Sequence, residues 1–247
     1  MSTEKTEALV IRLADWSESS RVVTFFTRDF GQISAVAKGA KRLKSSFEIA
    51  LDLLTACQIV FIRKSSSGLD ILTECQLVSR FHPHGRDLES LYGGYYIAEL
   101  LSHLTEPDDP HPILYEEALS TLNHLSEGTF PRLSLLRFEL TTLREIGQLP
   151  ALDHCVSCNQ PVAPESSYAL WLSQGGVICR DCQREEFKQN RIPAGTVQVL
   201  RRLSQPETDL SRLGVSDLQI KQMRQFVNSA ITHVLGRRPK MLRYFQY

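Results

Sequence analysis

Along the first eighty residues, apolar positions recur at every second residue. Leu9, Ile11 and Leu13 alternate with residues of the other face, and Val22 to Phe26 is a β-branched and aromatic run. Ile33, Ala35 and Ala37 alternate again after a turn at Asp29-Phe30-Gly31. This period of two predicts strands, with Leu9, Ile11 and Leu13 on one face. Gln58 to Arg63 and Leu69 to Phe81 flank Ser65-Ser-Ser-Gly68, a loop composition suited to a hairpin. A turn centred near Ser66 sets Cys57 opposite Cys75 across that hairpin. The alternative is that the two are unrelated small core residues. Five short strands with a helical piece near Phe47–Leu51 predict a small closed barrel, for which an OB-type fold is one solution.

After His82-Pro-His-Gly85 the period lengthens to that of a helix. Leu88, Leu91, Tyr92, Tyr95, Ala98 and Leu101 recur every three or four residues, as do Ala118, Leu122 and Leu125, then Leu133, Leu136, Leu140 and Leu143. Glu106-Pro-Asp-Asp-Pro-His-Pro112 breaks the helical run, and its acidic residues read as surface solubility. Gly128 and Gly147 stand where helices stop. Helix resumes at Thr196–Leu203 and at Asp217–Leu235, where Ser216 and Gln219 have the spacing of a capping box. The pattern as a whole predicts an α+β chain: an OB-fold β-barrel over residues 1–82, then a mainly α-helical domain over 83–247.

Two CxxC motifs interrupt the helical half. Cys155-Val-Ser-Cys158 and Cys179-Arg-Asp-Cys182 are separated by 20 residues that include Ser173-Gln-Gly-Gly176, the composition of a hairpin tip. Two residues between cysteines let a tight turn aim both sulfurs at one point, and the second turn completes a tetrahedral S₄ shell suited to Zn²⁺. Four thiolates leave no open position for water, so such a metal is structural. The predicted module spans about residues 153–186. Four unrelated buried thiols, or a redox CxxC, are the alternatives; His154 and His233 are spare nitrogens that a full shell does not need. The other cysteines, Cys57 and Cys75, accompany an N-terminus without an apolar leader and a chain without a membrane-length apolar run. That combination fits a reducing cytoplasm, where paired CxxC motifs bind metal rather than form disulfides.

Charge changes the picture more than composition does. The formal net charge is +0, yet residues 1–82 carry 11 basic and 9 acidic side chains, residues 83–151 carry 4 and 11, and residues 152–247 carry 13 and 8. An acidic middle is flanked by basic segments, and the local field decides where a phosphate backbone can lie. The densest cluster is Lys38, Lys41, Arg42 and Lys44, on a loop after the third strand. Arg201 and Arg202 form a second, and Arg237, Arg238, Lys240 and Arg243 a third. Together they predict contacts to phosphates that release counterions without reading sequence. Solvated lysines, or arginines complementing a helix C-terminus, are the plainer alternatives. Catalytic signatures are missing: Lys44-Ser45 follows Leu43 rather than the Gly of a Walker A loop, and no GxGxxG, HExxH or GxSxG occurs.

The residues also resemble a known family. Glu7-Ala-Leu-Val-Ile-Arg12, Ser17-Glu-Ser19, Val23-Thr-Phe-Phe-Thr27, Phe30-Gly31 and Ala37-Lys-Gly-Ala40 resemble the N-terminal signature of the RecO recombination mediators. Leu235-Gly-Arg-Arg-Pro-Lys240 with Arg243 looks like that family's C-terminal segment, and the Cys₄ insertion falls where the family carries it. The chain departs at Ser20, where the family commonly has Asp, and at Met241. The resemblance implies an N-terminal OB-fold, a helical domain with a zinc module, and no catalytic turnover. It implies binding of single- and double-stranded DNA and annealing of complementary strands. It also implies help, given with RecR, in loading RecA recombinase onto strands coated by single-stranded DNA-binding protein, whose acidic tail would seek the 217–243 region. A nucleoid-associated cytoplasmic protein is the implied setting. A zinc-ribbon enzyme that processes nucleic acid is the second reading, and a purely structural adaptor a third.

Overall fold

The computed structural model describes residues 2–42, 45, 47, 49–64, 68–85, 87–164, 166–183 and 191–245. Lys44, the hairpin apex at residues 65–67 and the end of the predicted zinc module at 184–186 lie outside the described residues. The chain forms two compact units, Met1–Thr129 and Phe130–Tyr247.

The first unit is built on five strands: β1 (Ser2–Asp15), β2 (Arg21–Thr27), β3 (Gly31–Ala37), β4 (Thr55–Arg63) and β5 (Asp70–Arg80). They close into a barrel in the order β1-β2-β3-β5-β4, with β3 and β5 parallel and β1 paired to both β2 and β4. This is the Greek-key closure of an OB-fold, and it leaves no sheet edge exposed. Phe25, Ile33, Ala35, Ile59 and Phe61 fill the interior, and Phe47 and Leu51 plug it, the N–H groups of Ala50 and Leu51 both donating to the carbonyl of Phe47.

β1 corrects the expected facing. The residues that reach the interior are Ala8 and Val10, not Leu9 and Ile11. The register with β2 slips between Val10 and Arg12, so Ile11 is an extra residue in a β-bulge. The bulge inverts the alternation, and Leu13 packs against the interior after it. Leu9 and Ile11 are nevertheless buried, because the outer surface of the barrel is covered: helix α1 (Leu88–Leu104) packs on β1 and α2 (Pro112–Glu127) on β2. Phe26 likewise lies outside the interior cluster, against Tyr115 of α2 with ring centroids 6.5 Å apart.

The acidic connector between these helices is more than surface solubility. Asp108 donates its N–H to the carbonyl of Gln32 at 3.2 Å, and its carboxylate pairs with Arg63. Gly31 makes the docking possible. It holds φ +66, and a Cβ there would stand 2.2 Å from the carbonyl oxygen of Asp109.

Cys57 and Cys75 do meet, through a register different from the expected one. Cys57 is opposite Leu77 and Cys75 opposite Ile59, an offset of two residues from the expected register; Thr73, an extra residue where the ladder slips at Val60/Phe61, supplies one of the two. The thiols interact diagonally, and Sγ of Cys57 also lies 3.6 Å from the carbonyl oxygen of Ala8, a second acceptor for its one S–H. The hydrogen bond with Cys75, burial and the neighbouring thiol push Cys57 well above the usual thiol range, whereas accepting that bond lowers Cys75.

The second unit holds helices α3 (Pro131–Glu145), α4 (Ala194–Leu203) and α5 (Asp217–Leu235), with a small sheet of β6 (Ser167–Trp171), β7 (Gly176–Cys179) and β8 (Arg191–Pro193) in the order β7-β6-β8. α3 is buried from Leu133 through Leu143, polar residues included. Glu139 of α3 pairs with Arg224 of α5, both almost wholly buried. Arg144 donates to the carbonyl of Ser204 at 2.6 Å, fastening α3 to the end of α4. The Ser216–Gln219 capping box forms reciprocally at the start of α5, and Gly236 ends that helix with φ 67.

Candidate metal centre and basic surfaces

The small sheet and the turns beside it bring four cysteines together. Val156 donates to the carbonyl of Val177 at 2.9 Å, and Ala151 and Gly176 bridge in parallel, so the first knuckle runs beside β7. That approach requires glycine at 176, where a Cβ would sit 2.4 Å from Cγ1 of Val156. In the first knuckle Asn159 donates to the carbonyl of Cys155 at 2.8 Å and adopts φ 60, folding the chain back under the sulfurs. In the second, the N–H groups of Cys182 and Gln183 donate to the carbonyl of Cys179. Ala169 and Ile178 pack with the buried Cys155, and Trp171 lies against them.

The four sulfurs of Cys155, Cys158, Cys179 and Cys182 all lie within 4.8 Å of one another. A tetrahedral shell with Zn–S near ~2.3 Å places its sulfurs ~3.8 Å apart, and Sγ of Cys158 and Cys179 are 3.8 Å apart. The electrostatics suit a soft divalent cation. Burial opposes ionisation of Cys155, but N–H groups of Cys179, Cys158 and Ser157 donate to its sulfur and bring it down to about 6. Its hydrogen bond with Cys179 pushes Cys182 the other way, up to about 12. Sulfurs this close ionise together only when a cation stands among them. The four cysteines can therefore hold a metal. His154 instead meets Asp153 at 2.9 Å, and His233 ends α5; among the described residues neither joins the cluster.

The predicted cations fall on both units. Lys38, Lys41 and Arg42 are exposed on the turn after β3, whose Ala40 is buried in the barrel interior and anchors it. Lys41 is engaged: its ammonium meets Asp15 at 3.0 Å and the carbonyl of Ser17 at 3.4 Å. The hydrogen bond and charge of Lys41, helped by Arg21, hold the Asp15 carboxyl below the usual carboxylate range. In the second unit Arg201 and Arg202 are exposed on α4, and Arg237, Arg238, Lys240 and Arg243 are exposed beyond α5. Arg243 lies over the ring of Tyr244, 4.8 Å from its centroid.

A groove that no sequence pattern announces lies in the second unit, lined by β6, β8 and α5. It encloses about 500 Å³, with Leu170, Leu172, Ile192 and Phe226 as apolar lining and Arg191 and Arg238 as cations. Its residues come from three separate stretches of chain, so no local pattern marks it. No helix among the described residues is long and apolar enough to cross a membrane.

A closed five-stranded OB barrel in one unit and a Cys₄ module within helices in the other define a class of two-part chain. Comparison with known proteins makes this specific. The family described as Recombination protein O N terminal matches residues 1–81, and Recombination protein O C terminal matches residues 85–243. The chain belongs to the Recombination protein O (RecO) family. The DNA repair protein RecO of Rhodopirellula baltica is 34% identical over 95% of this chain and 96% of its own length. That of Syntrophus aciditrophicus is 30% identical over 98% and 95%, and that of Bacillus cereus 32% identical over 98% and 96%.

Proposed function

We propose that this chain is a DNA repair mediator that acts by binding and not by catalytic turnover. In this reading residues 1–82 are an OB-fold DNA-binding domain, and residues 83–247 are a helical domain stabilised by a structural Zn²⁺ on Cys155, Cys158, Cys179 and Cys182. The observation that carries it is the barrel with its anchored turn of exposed cations, in a chain whose relatives are named DNA repair proteins over nearly their whole length. Lys38, Lys41, Arg42 and Lys44 contact phosphates of single- and double-stranded DNA, with Arg201, Arg202, Arg237, Arg238, Lys240 and Arg243 as further contacts. Such cations offset the repulsion between two phosphate backbones, and base pairing then supplies the specificity of annealing.

The mediator step, loading RecA with RecR onto strands coated by single-stranded DNA-binding protein, needs a site for that protein. The groove between β6, β8 and α5 has the right chemistry for its acidic tail: an apolar floor and the guanidinium groups of Arg191 and Arg238. The setting is the cytoplasm, at the nucleoid. The test is annealing of complementary strands already coated with single-stranded DNA-binding protein. Stoichiometric annealing, with RecA loading stimulated by RecR, is expected. Catalytic breakdown of labelled strands in the presence of divalent metal, with no annealing, would overturn the reading in favour of a processing enzyme.

A further inference from the structure

The loop between β1 and β2 carries Trp16 with 64% of its surface exposed, more than any other aromatic side chain among the described residues. An indole is a large apolar surface that folding normally covers. Here the backbone beneath it is closely held while the ring is not. Trp16 and Ser17 both donate N–H bonds to the carbonyl of Ser20, at 3.0 and 3.2 Å, and Ser20 donates back to Oγ of Ser17 at 3.1 Å.

The same loop is fastened to the basic turn. Lys41 donates its backbone N–H to the carbonyl of Ser19 at 3.1 Å, and its ammonium reaches Ser17 and Asp15 on either side of Trp16. On these two joined loops and the residue that opens β2, Lys38, Lys41, Arg42 and Arg21 outnumber Asp15 and Glu18. In OB-folds, the loop between the first two strands is one of the elements that meet oligonucleotides.

We infer that Trp16 is a stacking platform for an unpaired base, held on a loop joined to phosphate-binding cations, and that this contact adds affinity for single strands that duplex does not receive. The inference rests on the proposed DNA-binding role and adds to it a ligand, a flat nucleobase, and the residue that recognises it. The rings of any base can stack on an indole, so the contact tolerates all sequences, whereas bases inside a duplex are already stacked on one another.

The experiment compares wild type, Trp16→Phe and Trp16→Ala on three probes: single-stranded oligonucleotide, the same oligonucleotide with abasic sites throughout, and duplex. Trp16→Ala is expected to weaken binding of the ordinary strand by roughly 5- to 150-fold, the span seen when one stacking aromatic is removed. It should leave the abasic strand and the duplex within about twofold. Trp16→Phe should restore most of the loss. Wild type should show fluorescence quenching by the ordinary strand that Trp16→Phe lacks. An equal loss on all three probes would overturn the stacking role and mark the ring as a loop support. Unchanged DNA binding with weakened binding of RecR would overturn it and assign the ring to a protein interface. Wild-type protein that bound none of the probes would remove the proposed function itself, and this inference with it.

Discussion

At the scale of single residues, the local chemistry of a few positions leads to separable outcomes. Cys179 sits at the end of β7 and belongs to both the sheet and the sulfur cluster, so its loss should act on metal and fold together. Elemental analysis should find zinc at one per chain in wild type and well below that in Cys179→Ser, because a structural site contributes its binding free energy to folding. Hydrogen exchange should show lost protection in β6 and β7 and unchanged protection in the barrel. Acidification should release the metal too, since protons compete for the four sulfurs.

Asp15 makes a different case. Lys41 holds its carboxyl below the usual range, so the ion pair is complete above the ordinary carboxylate pKa and is lost as pH falls through the lowered value. Asp15→Asn removes the pair at neutral pH. It should relieve Lys41 of a carboxylate that competes with phosphate and so tighten DNA binding, with the salt dependence steepened by up to ~0.7 for a single strand to the extent that Asp15 holds Lys41 back in wild type. A slope equal to that of wild type would show that Lys41 stays on its own loop.

At the scale of elements, the bulges and caps decide what the strands and helices present. The bulge at Ile11 lets one strand serve two cores, with Ala8 and Val10 inside the barrel and Leu9 and Ile11 buried on other faces. Gly31, at the start of β3, holds the acidic connector on the barrel. Gly31→Ala meets both a positive φ and the backbone of Asp109, and should destabilise the first unit by ~2–3 kcal/mol, as read by urea unfolding. Ser216→Ala removes the hydroxyl of a reciprocal capping box and should cost about 1 kcal/mol in the second unit. The barrel hairpin also sets the reactivity of its thiols. Cys75 is partly exposed and lowered, while Cys57 is buried and raised. Timed alkylation should therefore modify Cys75 first.

At the scale of the whole molecule, charge is arranged by segment rather than in sum. The cations predicted to meet DNA are all exposed where the structure describes them, and their contribution can be read from salt dependence. Replacing Lys38 and Arg42 with Gln should lower the slope by ~0.7 per lost contact on single strands and ~0.9 on duplex, with no change in sequence preference. Unchanged slopes would mark the turn as a solvated face. The acidic tail of single-stranded DNA-binding protein offers a second test. A tail peptide should bind wild type and lose affinity when Arg237 and Arg238 are changed to Ala, and equal affinity would move its site away from the groove.

Much of this was legible in one dimension because the signals are local. A CxxC turn needs only four consecutive residues to aim two sulfurs, so the four-cysteine cluster that could hold a metal follows from spacing. Period-2 and period-3.6 patterns fall out of backbone geometry, so the five strands and the main helices stand close to where the pattern puts them. The capping box at Ser216 and the stop at Gly236 are decided within one helical turn. Other features depend on what lies across from a residue. The inward face of β1 hinges on a single extra residue, which inverts every side chain beyond it and leaves hydrophobicity unchanged, and the register of Cys57 against Cys75 is offset by two residues, one of them the bulge at Thr73. The docking of Asp108 and Asp109, the buried pair of Glu139 and Arg224, the exposure of Trp16 and the groove beside α5 join residues far apart in the chain. Only tertiary packing decides these, because burial, pairing and solvent access belong to the space between segments and not to any one of them.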